Sequence, residues 1–226
     1  MLRAVLFDLD DTLYEQSSWT SGAWDAVVAA AAPSVEPRLL RAALRAVCAE
    51  GRDRGTIIDR ALARVGHTDI AVAPLLARFR AHSPTRLTPY PGVADALTAL
   101  RAQVDIGLVS DGNPTIQRNK LRALGLEAQF HIVVFSDELG REHRKPSPVP
   151  LLAALVGLGV DPRDAVYVGD RPDTDVAAAI AAGIRPIRVR TGEYADRPDE
   201  PQPWATAPDA VTAIDGFLRL PAAALH

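Results

Sequence analysis

Residues 4–14 read AVLFDLDDTLY, with four apolar residues followed by Asp8 and Asp10 two positions apart. The unbroken run Ala4-Val5-Leu6-Phe7 is the pattern of a strand covered on both faces, as in parallel sheets flanked by helices. Asp8 stands where that strand stops, and in open α/β sheets ligands bind at the carboxyl ends of the strands. Two readings are open at this point. The acidic pair is catalytic, or Asp-Asp-Thr is a turn that tightens a loop and caps a helix.

The rest of the chain bounds the choice. Its 226 residues suffice for a full core, as one large domain or as a core with a second domain inserted. Apolar residues make up 48% and the net charge is −3, with no run of like charge that would suit nucleic acid or a membrane surface. The single cysteine, Cys48, allows no intramolecular disulfide and fits a reducing compartment, where it reads as a small buried hydrophobe. The first apolar run is broken by Asp8, against a signal peptide, and no stretch approaches a membrane span. A soluble, cytoplasmic protein is expected, with neither nucleic acid nor membrane as partner. Of the 25 basic residues, only Lys120 and Lys145 are lysines.

After Tyr14 the texture turns Ala-rich and helical as far as about His82. Ser18 or Thr20 is the expected cap of a helix through Ala32, and a second helix runs from Glu36 to Glu50 and stops at Gly51. A third covers Thr56 to Val65 and a fourth Ile70 to His82, with apolar residues at helical spacing. Ser83–Gly92, with three prolines, reads as a return linker before a helix over Val93–Gln103. From there strands (Ile106–Val109, His131–Phe135, Ala165–Val168, Pro186–Val189) alternate with helices (Thr115–Leu124, Pro148–Leu158, Thr174–Ala182), the order of parallel βαβ units. Tyr194–Pro208 is expected as a surface loop and Asp209–Leu220 as a closing helix.

The later strand ends are polar in a consistent way. Val109 leads into Ser110-Asp111-Gly112-Asn113, a hydroxyl and turning amides suited to phosphate oxygens, or a simple capped turn. Val168 leads into Gly169-Asp170, with Asp173 and Asp175 following; hard oxygen ligands of this kind suit magnesium. Lys145, before a helix, suits a phosphate or a carboxylate, although a basic solvated loop would look the same.

In this order the residues resemble the haloacid dehalogenase superfamily of phosphohydrolases over nearly the whole chain. Its first motif corresponds to Asp8–Leu13, its second to Ser110, its third to Lys145 and its fourth, GDxxxxD, to Gly169–Asp175. The resemblance implies an α/β fold, a Rossmann-like parallel-sheet core over residues 1–14 and 84–226, and an α-helical cap of the C1 type over 15–83. It implies a phosphatase in which Asp8 attacks phosphorus to form an aspartyl-phosphate, while Asp10 protonates the leaving group and then activates water. It also implies Mg2+ held by Asp8, the Asp10 carbonyl and Asp170 with outer support from Asp175, phosphate held by Ser110 and the Asp111 amide, and charge offset by Lys145. The expected substrate is a small phosphorylated metabolite selected by cap residues, and the expected state is a monomer or, through an apolar cap surface, a homodimer.

Dehalogenating members use the same nucleophile on carbon but lack the second acid and the metal cluster, so Asp10 with Asp170 favours phosphorus. Phosphonate cleavage needs a cap lysine, and none precedes Arg118. A sugar phosphomutase of the same family is the alternative, and a non-catalytic binding protein a third reading. Asp111 departs from the Asn common at its position. Asp11 and Thr12 are expected to shape the turn, Trp19 and Trp24 to pack separately, and Arg141, His143 and Arg144 to be solvated. Gln117 and Lys120, one helical turn apart, read as surface or cap-facing support, with Lys120 in solvent.

Overall fold

The computed structural model describes residues 1–50 and 56–219. The chain opens with β1 (Ala4–Phe7), followed by α1 (Gln16–Ala31), α2 (Pro37–Ala49), α3 (Ile57–Arg64) and α4 (Val72–Arg80). Then come α5 (Val93–Arg101), β2 (Asp105–Ser110), α6 (Pro114–Ala123), β3 (Ile132–Phe135), α7 (Val149–Leu158) and β4 (Ala165–Gly169). The chain closes with α8 (Ala177–Ala181), β5 (Arg185–Val189), β6 (Ala205–Ala207) and α9 (Ala210–Leu218).

The strands form one parallel sheet in the order β3-β2-β1-β4-β5-β6. β1 lies inside it, which is why Ala4 to Phe7 are all apolar and fully buried. Alternation sends Ala4 and Leu6 into one layer, where they share a cluster with Leu151, Ala154, Leu155, Tyr167, Ala178 and Ala179 from α7, β4 and α8. Val5 and Phe7 serve the opposite layer, where the Phe7 ring meets Phe130 edge-on at 6.5 Å. The chain leaves β1 toward β2 and β3, then returns to place β4 on its other side. That reversal puts the topological switch point between the ends of β1 and β4, at Asp8 and Asp170.

Three expectations about the elements change. Tyr194–Pro208 is not wholly loop: Ala205–Ala207 adds a short edge strand, pairing in parallel with Ile187–Val189. The helix expected from Thr174 starts as a π-helical turn over Pro172–Val176 and becomes α-helical only at Ala177. The first helix begins at Gln16 rather than after a Ser18 or Thr20 cap, with the Gln16 amide donating to Asp11 Oδ1 at 2.8 Å. The expected stops at Gly51 and Leu220 lie outside the described residues.

The chain divides into two compact units, Met1–Gln16 with Thr85 onward, and Ser17–Pro84. The smaller unit has its own core, in which Val27, Val28, Leu40, Leu44, Ile58, Leu62 and Leu75 are buried together. The Glu36 carboxylate caps α2 by accepting from the Leu39 amide at 2.7 Å. Trp19 and Trp24 both pack on the Phe79 ring, at 5.3 and 4.3 Å, so they share one aromatic cluster instead of packing separately.

Candidate active site

Asp8 is fixed by the sheet. Its amide donates to the Val168 carbonyl at 2.9 Å, continuing the β1–β4 ladder by one residue, and its side chain is buried. Lys145 reaches it from the loop before α7, with Nζ 2.5 Å from Asp8 Oδ1, 2.6 Å from Asp175 Oδ1 and 2.9 Å from the Tyr167 hydroxyl. Asp175 uses its other oxygen to accept from the Arg171 amide at 3.0 Å, so one carboxylate holds both the π-turn after β4 and the lysine beside Asp8.

Asp170 completes the cluster. One carboxylate oxygen each from Asp8, Asp170 and Asp175 lies within 4.8 Å of the others, and all three side chains are buried. One ammonium faces these three acids. Burial, opposed by the Lys145 charge and reinforced by Asp175, pushes the Asp8 carboxyl up to about 8. Burial, with Asp175 and Asp8 beside it, pushes Asp170 well above the usual carboxylate range. Burial pulls Lys145 down, but Asp175 and Asp8 outweigh it and keep the ammonium protonated. Asp170 Oδ2 is buried with no hydrogen-bond partner. Buried acceptors are rarely left so, and an unpartnered oxygen in an over-acidic, oxygen-only cluster fits a divalent cation.

Behind the cluster stands Arg188 of β5, which is 0% exposed. Its guanidinium donates to the Asp170 carbonyl at 3.2 Å, to the Arg197 and Tyr194 carbonyls at 2.7 and 2.5 Å, and to Asp199 Oδ1 at 2.5 Å. One buried side chain thus ties the Asp170 backbone to the segment after β5. Asp11 has φ +57° and its carboxylate accepts from Gln16 and, at 3.4 Å, Glu193, so it does shape the turn.

Asp10 is bound by a different set. Tyr14 donates its hydroxyl to Oδ1 at 2.5 Å, Gln117 Nε2 donates to Oδ2 at 2.9 Å, and Lys120 Nζ reaches the two oxygens at 2.8 and 2.9 Å. Burial raises the Asp10 carboxyl, but the Lys120 ammonium with the Tyr14 and Gln117 donors more than offsets it and leaves the group below its ordinary value. Gln117 Nε2 also lies 2.7 Å from Ser110 Oγ, connecting the second motif to Asp10. Asp111 accepts from the Lys145 amide at 3.2 Å, which ties the second motif to the third through an acceptor that the usual Asn would also offer.

Sequence reasoning missed Tyr14, Gln117, Lys120, Tyr167 and Arg188. Lys120 is buried, not solvated, and its signal was present: it is one of two lysines in the chain, one turn after Gln117. Arg144 is likewise not a free solvated charge, because it grips Asp137 with two hydrogen bonds of 2.6 and 2.7 Å. Arg141 remains largely exposed, whereas His143 is half-buried.

Comparison with known proteins then gives this arrangement a family. Residues 2–183 match the family model described as haloacid dehalogenase-like hydrolase. The chain belongs to that family. It is 36% identical over 219 residues to a glyceraldehyde 3-phosphate phosphatase of Methanopyrus kandleri, covering 92% of each chain. It is 37% identical over 209 residues to a phosphoglycolate phosphatase of Rhodospirillum rubrum, covering 88% of this chain and 83% of that one. Among solved structures, a 2-haloacid dehalogenase from Pseudomonas syringae pv. Tomato superposes with a TM-score of 0.63 at 28% identity, over 96% of this chain and 98% of that one. The described residues of this hydrolase include no helix long and apolar enough to cross a membrane.

Proposed function

We propose that this chain is a magnesium-dependent phosphatase of a small phosphomonoester, working through an aspartyl-phosphate on Asp8. The observation that carries this reading is the acidic cluster beside Asp8, where Asp170 presents a buried oxygen without a partner. Asp8, Asp170 and the Asp10 main-chain carbonyl would hold the cation. When bound, magnesium supplies the positive charge that lets an anionic nucleophile approach an anionic phosphoryl group. A dehalogenase needs no such charge at carbon, so Asp10 and Asp170 favour phosphorus over the chemistry of the structural neighbour.

The chain's own residues supply the rest. Ser110 Oγ, at the end of β2, would donate to a phosphoryl oxygen, and Lys145 would offset the charge of Asp8 as phosphorus approaches. Asp8 forms the new O–P bond as the bond to the alkoxide breaks, and the alkoxide takes a proton from Asp10. The donors around Asp10 hold it ionised in the free enzyme, and it takes up that proton from water as the anionic ester binds beside it. Asp10 then accepts a proton from the water that forms the second O–P bond, while the bond from phosphorus to Asp8 breaks and frees the carboxylate. Asp175 acts through Lys145, whose ammonium it holds in line with Asp8.

The named relatives put short phosphorylated metabolites such as glyceraldehyde 3-phosphate and phosphoglycolate first in a substrate panel. Phosphate release should require magnesium, stop with chelator, and fall by at least about 1,000-fold in Asp8→Asn. Release that survives chelator or Asp8→Asn contradicts the reading. Phosphorylation of Asp8 with little net release, and a requirement for a bisphosphate, would indicate the mutase instead.

A further inference from the structure

The chain uses 23 arginines and two lysines, yet both lysines are buried: Lys120 is 3% exposed and Lys145 6%. Each ammonium lies on one carboxylate of the first strand end. Lys145 sits on Asp8, as the third motif requires, and Lys120 sits on Asp10, which no motif requires. A compact ammonium on a buried stem can reach both oxygens of one carboxylate from a single helix position, whereas a guanidinium would present a wider planar fork.

The arrangement around Asp10 is complete. Oδ1 accepts from Tyr14 and Lys120, and Oδ2 from Gln117 and Lys120, so neither oxygen can turn without losing a donor. Gln117 and Lys120 come from successive turns of α6, and Asn113 fixes that helix by accepting from the Thr115 and Ile116 amides at 3.0 and 3.3 Å. Gln117 shares its donor nitrogen with Ser110 Oγ. One helix therefore sets the Asp10 carboxylate relative to the hydroxyl placed for phosphate.

We propose that Lys120, with Gln117 and Tyr14, is a positioning residue that holds the Asp10 carboxyl in the orientation from which it exchanges a proton with the leaving alkoxide and with the attacking water. The proposal rests on the phosphatase reading. Both protons travel between Asp10 and the oxygen of the alkoxide or the water, none starts or ends on Lys120, and Lys120 acts through the Asp10 carboxylate that it grips. Its removal should therefore weaken the steps that use Asp10 and leave substrate binding and the nucleophile intact.

The test compares wild type, Lys120→Met, Asp10→Asn and the double variant. An alkyl phosphomonoester needs a proton on its leaving group, whereas 2,4-dinitrophenyl phosphate does not, so the second substrate reports Asp8 alone. Lys120→Met should lower kcat on the alkyl ester by about 100-fold, with KM changed by less than about threefold. It should still release a burst of dinitrophenolate and accumulate phosphoenzyme. Its phosphoenzyme should hydrolyse slowly, and adding Lys120→Met to Asp10→Asn should slow that hydrolysis by less than about twofold further.

Three results overturn the proposal: an unimpaired kcat, losses that multiply in the double variant, or no dinitrophenolate burst from Lys120→Met, which would make Lys120 a residue of the fold. An active wild type with any of these leaves the phosphatase reading standing. A wild type inactive on every ester overturns both.

Discussion

Asp137 and Arg144 show how one residue pair ties pH to stability. The two hydrogen bonds from Arg144 hold the Asp137 carboxyl below its ordinary value, although partial burial pulls the other way. A carboxyl depressed in the folded state contributes stability above its unfolded value of about 4, and that contribution is lost as pH falls through the folded value. Asp137→Asn should therefore lower the melting temperature at pH 7, and the gap to wild type should narrow as pH drops below about 4. A gap independent of pH would mean that the pair contributes through packing alone. Arg144 and Lys120 read as solvated in the sequence, and Arg188 drew no notice inside the expected strand Pro186–Val189. A buried cation is legible only when its carboxylates or carbonyls are known, and here those partners come from other elements. Asp8, Asp10 and Asp170 were legible because an acid directly after an apolar strand needs no distant partner to be conspicuous.

Gly169 marks the same dependence for an element. It is the last residue of β4, and a Cβ there would fall 2.6 Å from the Asp175 side chain, which folds back over the strand end to reach Lys145. Gly169→Ala should cost about 1–3 kcal/mol in urea unfolding, as overpacked sites do, and should lower phosphatase kcat because Lys145 loses its alignment. Unchanged stability and rate would show that the π-turn over Pro172–Val176 yields freely. The sequence showed β1 to β5, most plainly β1, β2 and β4 through their apolar runs, since strands inside a parallel sheet must be buried on both faces. It did not show β6, because Ala205–Ala207 is a three-residue edge strand whose residues are exposed or half-buried, and no hydrophobic pattern is needed there. The π-turn was equally hidden, as its sequence PDTDV carries the acids of the motif and no helix signal of its own.

For the whole molecule, the parallel sheet with its switch point between β1 and β4 brings four distant segments to one end of the strands. Asp8 and Asp10 follow β1, Ser110 ends β2, Asp170 and Asp175 follow β4, and Lys145 enters from the loop before α7. Their order along the chain was readable as motifs, and the strand order explains why they meet. The two buried lysines, divided between Asp8 and Asp10, give the two acids separate surroundings: one is raised by burial in an acidic cluster, the other lowered by its own cation. By themselves these surroundings favour a proton on Asp8 and charge on Asp10; a cation held by Asp8 and Asp170 would bring Asp8 toward the ionised form that a nucleophile needs. The most direct test is to quench the enzyme during turnover with magnesium and a phosphomonoester, reduce any acyl phosphate with borohydride, and sequence the peptides by mass spectrometry. The account predicts reduction of one residue, Asp8, converted to homoserine and absent from the chelator control. Turnover with no reducible acyl phosphate, or reduction at Asp10 or Asp170 in place of Asp8, would contradict it.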